Sequence, residues 1–200
     1  MGRYFIENYL LKIHNGSMIK TTRDLLESYG SHRAIKAAIK KGDLQRISHG
    51  VYAEGQPELG EIEAVCARYP NAILTLESAF AYYGLSDYVP SQYVFVTPLN
   101  AHPIDSPKVV QYYMSEELVG IGKTEAKTKQ GSIHIYDMER LLIELFRLKR
   151  KLPPDYFKEV VGSYREAASS GVLDFPKLIA YLSQFKRGKT LHDRIQEVIL

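Results

Sequence analysis

Apolar positions in the first third of the chain recur with the spacing of short helices. Residues 3–14 (RYFIENYLLKIH) put Tyr4, Phe5, Tyr9, Leu10 and Ile13 in a helical period, and Asn15-Gly16 stops the run. Thr21-Thr22 caps a second helix with Leu25, Leu26 and Tyr29 inward, and Gly30 ends it. Ser31 caps a third, with Ile35, Ala38 and Ile39 inward and Gly42 just past its end. Two short strands follow, over 44–47 and 51–53, with Ser48-His49-Gly50 turning between them. The segment QPELG, residues 56–60, reads as a boundary.

Beyond it the pattern changes to alternating helices and strands. It predicts helices over 58–68 and 77–83, the second stopped by Gly84, and strands over 72–76, 92–97, 109–114 and 132–136. The polar run GKTEAKTKQGS, residues 122–132, reads as a loop or hairpin tip. Asp137 caps a strongly amphipathic helix, with Met138, Leu141, Leu142, Leu145 and Phe146 forming a core stripe. Pro153-Pro154 ends it, and helical stretches follow over 155–168, 174–184 and 190–199. The expected fold class is α+β. Residues 1–56 would form a winged helix-turn-helix, and residues 57–200 a mixed α/β domain ending in a helical segment.

With Ile35, Ala38 and Ile39 turned inward, the third helix presents His32, Arg33, Lys36, Ala37 and Lys40 outward. In a helix-turn-helix this element enters a major groove. Arg33 has the fork for a guanine edge, Lys36 can reach a base or a phosphate, and Ala37 is small enough to meet a thymine methyl. Thr21, Thr22, Arg23 and Ser31 sit at helix starts, where free N–H groups and hydroxyls suit phosphates. Arg46 and His49 lie on the wing, placed for a minor groove or the backbone.

Charge sharpens this reading. Net charge is only +3, but residues 1–56 carry nine Lys/Arg against five Asp/Glu, net +4, and residues 57–200 carry seventeen against eighteen, net −1. The surplus points to an anionic partner for the first segment. Composition is otherwise that of a globular chain, 45% hydrophobic and 24% charged. A single cysteine, Cys66, rules out an intramolecular disulfide. No window is apolar for the roughly 18 residues that a membrane helix needs, and MGRYFIENYL lacks the pattern of a secretion signal. A cytoplasmic protein with no membrane partner is expected.

Three segments carry a family resemblance. “IKTTRDLLESYGSHRAIKAAIKKGDLQRISHGVYAE” resembles the N-terminal domain of AbiEi-family antitoxins, whose wing pattern is matched by Arg46, Ile47, Gly50, Val51 and Tyr52. “LTLESAFAYYGLSDYVPSQYVFVTP”, residues 74–98, is similar to the family's threonine, small-residue helix, Gly-Leu and strand segment. “IHIYDMERLLIELFRLKRKLPPD”, residues 133–155, is similar to its strand and Asp-x-Glu-Arg-x-Leu helix. The resemblance implies a transcriptional autorepressor that binds inverted repeats in its own promoter as double-stranded DNA. It also implies an antitoxin, in an abortive-infection system of phage defence, against a nucleotidyltransferase-type toxin, with no stable complex required.

The second segment offers fewer sites. Asp137, Glu139, Arg140, Glu144 and Arg147 allow two readings. Glu144 pairs internally with Arg140 and Arg147, or those arginines, with Lys149 and Arg150, face an anion as antitoxin-domain candidates. Lys123, Lys127 and Lys129 lie on the polar run, and Glu125 and Lys127 with Asp105 make a poor fragment of a metal-dependent nuclease motif. No histidine pair has metal spacing and no glycine-rich phosphate loop occurs, so no metal, cofactor or catalytic residue is assigned. The alternative function is an interaction module that binds the toxin directly and DNA only weakly.

Overall fold

The computed structural model describes residues 19–48, 50–54, 60–128 and 131–199. The helix expected over 3–14, His49, Lys129 and all but Gly60 of the 56–60 boundary lie outside these residues. Two compact units are present, Met1–Ala72 with Glu125–His134, and Ile73–Thr124 with Ile135–Leu200. The division therefore falls after Ala72, past the 56/57 boundary read from the sequence.

In the first unit the described elements up to Ala72 are β1 (Ile19–Thr21), α1 (Thr22–Tyr29), α2 (His32–Lys41), β2 (Leu44–Ser48), β3 (Val51–Glu54) and α3 (Glu61–Arg68). The three strands form an antiparallel sheet in the order β1-β3-β2. Ile19 stands opposite Ala53, and Arg46 opposite Tyr52, with a register shift between Arg46 and Ser48. Strand β1 was not foreseen, because its three residues IKT pair only with a strand thirty positions later. Leu25, Ile35, Ala38 and Leu44 form a small core with Leu26, Tyr29, Ile39 and Tyr52 packed around it. Helix α3 packs on β1 and β3, which is why it joins this unit.

The remaining elements are β4 (Ile73–Leu74), α4 (Leu76–Tyr82), β5 (Tyr93–Pro98), β6 (Val109–Met114), α5 (Glu116–Val119), β7 (Lys123–Thr128), β8 (Gly131–Tyr136), α6 (Met138–Arg147), a 3-10 turn (Lys149–Lys151), α7 (Pro154–Ser169), α8 (Phe175–Leu182) and α9 (Gly188–Ile199). The strands make a mixed five-stranded sheet in the order β6-β5-β4-β8-β7. β5 runs antiparallel to β4 and parallel to β6, while β4 runs parallel to β8. The polar run, expected as a loop or hairpin tip, is largely strand β7, which neighbours β8 in the sheet. As an edge strand it has Lys123, Glu125 and Lys127 exposed, so no apolar alternation marks it in the sequence. The class is thus α+β with a helical C-terminal segment.

Helix α6 is the centre of the second unit. Every residue from Glu139 to Phe146 is buried, polar ones included. A helix buried on all sides must neutralise its charges internally, and that requirement decides the fate of its arginines.

Candidate nucleic-acid interface

Helices α1 and α2 are joined by Gly30 and Ser31 alone. Gly30 has φ 71, a left-handed conformation that caps α1, and its N–H donates to the Leu26 carbonyl. Ser31 then caps α2 by accepting the Ala34 N–H at 3.2 Å. At the other end Gly42, with φ 84, closes α2 by donating to the carbonyls of Ala38 and Ile39. These caps fix the length and direction of α2, and Ile35 and Ala38 fix its rotation by their burial.

The outward face follows from that rotation. His32, Arg33, Lys36, Ala37, Lys40 and Lys41 are all exposed. Helix α2 contains no acidic residue, and among the described residues Arg33, Lys36, Lys40 and Lys41 have no ion-pair partner. Lys36 and Lys40 stand one turn apart, a like-charge spacing that costs an isolated helix a few tenths of a kcal/mol, about 0.2–0.5. Lys40 and Lys41 are offset by the negative end of the helix dipole, but Arg33 stands at the positive end and gains nothing from it. Among the described residues no acidic side chain offsets the charge of Arg33 or Lys36.

The start of α1 is built differently. The Thr21 hydroxyl donates to Asp24 Oδ2 at 2.8 Å and accepts the Asp24 N–H at 3.3 Å, while the Thr21 N–H donates to the same carboxylate at 2.8 Å. The Thr22 N–H and hydroxyl both donate to the Gly50 carbonyl, at 2.9 and 3.3 Å. Arg23 is exposed and lies 3.8 Å from Glu27. The Thr21 and Thr22 hydroxyls thus take part in a capping box and a tie to the β2–β3 turn. Asp24 also places a negative charge in the first turn of α1. The start of α2, with Ser31, His32 and Arg33 and no acid in its first turn, has no such obstacle. Arg46 is exposed on β2 opposite Tyr52, and His49 lies outside the described residues.

Of the candidates in the second unit Arg140 turns inward, while Arg147, Lys149 and Arg150 are exposed. Arg140 is fully buried. Its Nε donates to Glu144 Oε1 at 3.0 Å, and its Nη1 donates to the carbonyls of Leu118 and Ile121 at 2.9 and 3.3 Å. The guanidinium stacks on the rings of Tyr136 and Phe185, 4.5 and 4.8 Å from their centroids. Gly122, with φ 73, passes so close that a methyl group there would overlap the Arg140 side chain. Arg147 donates to both oxygens of Glu144 at 2.6 Å and lies over Phe185 at 5.3 Å. Of the two readings open for these arginines, the internal pairing is the one found, and Arg140 has no surface to offer a partner. Lys149 lies over Phe157 at 4.6 Å, and both it and Arg150 are exposed.

One constellation was missed in the sequence. The Lys177 ammonium bridges Asp137 at 3.0 Å and Glu139 at 2.9 Å. The Tyr181 hydroxyl donates to Asp137 at 2.9 Å, and the Asp174 N–H donates to Glu139 at 3.0 Å. Burial alone would lower the Lys177 pKa, but hydrogen bonds to Glu139 and Asp137 outweigh it and hold the amine above the ordinary lysine range. Burial and the neighbouring Asp137 push the Tyr83 phenol up to about 12. The cluster clamps the start of α8 to the start of α6 and keeps its lysine protonated, so it is a strut and not a source of a nucleophilic amine.

Among the described residues no group of three or more His, Cys, Asp or Glu stands close enough to hold a metal ion, and no helix is long and apolar enough to cross a membrane. No family model matches the sequence, and no curated protein does either. Among solved structures, the chain is similar to the crystal structure of the RV2827C protein from Mycobacterium tuberculosis. The match has a TM-score of 0.52 at 16% identity and covers 99% of this chain and 80% of that one. At that identity the likeness is one of fold.

Proposed function

We propose that residues 19–54 form a winged helix-turn-helix that binds double-stranded DNA, with α2 in the major groove and the β2–β3 hairpin as the wing. The observation that carries this reading is the outward face of α2. Its four Lys and Arg side chains are exposed, without acid partners among the described residues, on the face away from the buried Ile35 and Ala38. The element order β1-α1-α2-β2-β3 and the sheet order β1-β3-β2 supply the scaffold that such a reading needs. Arg33 reads a guanine, Lys36 a base or phosphate, and Arg46 and His49 contact the backbone from the wing.

The resemblance to AbiEi-family antitoxins extends the proposal to a transcriptional autorepressor that also neutralises a nucleotidyltransferase-type toxin. A mobility-shift assay on the DNA upstream of the protein's own gene tests the first part, with the toxin added in a parallel lane. A discrete shift abolished by Arg33→Ala/Lys36→Ala supports it. Binding of the toxin with no shift of the DNA would favour a toxin-binding module. Growth rescue of toxin-expressing cells by the full chain tests the antitoxin part.

A further inference from the structure

The five-stranded sheet has two edges of opposite character. β7 exposes Lys123, Glu125 and Lys127, charges that deter another strand from pairing. β6 reads VVQYYM, six residues without a charge, a proline or a glycine, of which Tyr113 is exposed and the others half-buried. The direction of its free groups follows from one bond. The Tyr93 N–H donates to the Lys108 carbonyl at 2.7 Å, so Lys108, Val110, Tyr112 and Met114 turn their main chain toward β5. The main-chain groups of Val109, Gln111 and Tyr113 therefore point outward. The Val109 N–H is taken by the Ser106 carbonyl, but among the described residues no bond engages the Gln111 and Tyr113 main chain on that side.

This edge is also rigid. The Gln111 side chain accepts the Ile104 N–H at 2.7 Å and donates to Thr97 Oγ1 at 2.7 Å and to the His102 carbonyl at 3.3 Å. Those bonds hold the β5–β6 crossover against the strand. Exposed Leu99 and Tyr113 stand at the same end of the strand pair.

We propose that β6 is the pairing edge for a second copy of this chain, joined antiparallel about a two-fold axis centred on Gln111. The occupant follows from self-complementarity. Of the registers that set outward groups against outward groups, the one in which Gln111 faces Gln111 and Val109 faces Tyr113 of the other copy engages all three outward residues of each strand. In that register Lys108, at the start of each strand, meets the end of its partner, where Glu116 and Glu117 follow. The uncharged centre opposes no like charges. This inference does not depend on the DNA-binding reading.

Tyr113→Pro tests it, since proline is tolerated where an edge N–H faces outward but removes the donor that pairing needs. Sedimentation velocity of the full chain should show a concentration-dependent dimer that Tyr113→Pro abolishes with the thermal unfolding midpoint retained. In a second experiment, oxidised Val109→Cys/Tyr113→Cys should form a covalent dimer on a non-reducing gel, and neither single variant should. A chain that stays monomeric at all concentrations and does not cross-link overturns the proposal. So does a dimer that cross-links at other positions only, or an edge that pairs with a strand of a different protein while the chain alone stays monomeric.

Discussion

Helices α2 and α6 each span ten residues, and each carries basic side chains beside a buried apolar stripe. In α2 the cations stand opposite the stripe, with no acid in the helix. In α6 Glu144 stands one turn from both Arg140 and Arg147, and the protein folds around Glu139, Arg140 and Glu144. Arg140 and Arg33 are thus the same residue type in opposite roles. One is an internal strut that ties α6 to the carbonyls of Leu118 and Ile121, and the other is an unpaid charge facing solvent. The lesson is that basic residues point to a polyanion only where the fold leaves them unpaired.

The contrast can be broken most strongly at Arg140. Arg140→Ala leaves Glu144 buried beside Arg147 alone and strips two carbonyls of their donor, so stability should fall by about 3–5 kcal/mol. The check is chemical denaturation, and a loss below about 1 kcal/mol would mean that the guanidinium is dispensable. Gly122→Ala should follow, at about 2 kcal/mol or more, because its left-handed φ and the adjacent Arg140 leave no room for a methyl group. Arg33→Ala should cost about 1–3 kcal/mol of DNA affinity and relax sequence preference, with no change in the unfolding midpoint.

Smaller effects should come from the Lys177 clamp. Lys177 is partly exposed, so Lys177→Met should cost about 1 kcal/mol or less. Its pH signature is sharper. The folded pKa values of Lys177 and Tyr83 both lie above their unfolded values. Both groups therefore contribute stability that is present in full below about pH 10 and is lost as pH rises, for Tyr83 through about 12. The unfolding midpoint should be flat from neutrality to about pH 9.5 and fall beyond it, less steeply in Tyr83→Phe. An equal alkaline fall in that variant would remove Tyr83 from the account.

The local half of this architecture was legible in the sequence. Thr21, Gly30, Ser31 and Gly42 mark the ends of α1 and α2 because capping needs those residue types at those places. The inward set of Ile35 and Ala38 followed from a 3.6-residue period. What was hidden depends on distant partners. β1 is a strand only because β3 accepts it, and β7 is a polar edge whose pattern resembles a loop. The Lys177 clamp joins side chains 38 and 40 positions apart, which no local pattern records. At Arg140 the sequence left a choice between pairing and display, and the all-round burial of α6 settled it.

The central claim is that the outward cations of α2 bind a nucleic-acid backbone and its bases. It is tested most directly by the salt dependence of binding to the protein's own upstream DNA, for wild type and for Arg33→Ala/Lys36→Ala/Lys40→Ala. Each lost phosphate contact should lower the slope of log affinity against log salt by about one unit. The account predicts a shallower slope and weaker binding in the triple variant, at an unchanged unfolding midpoint. An identical slope and affinity in a folded triple variant would contradict it.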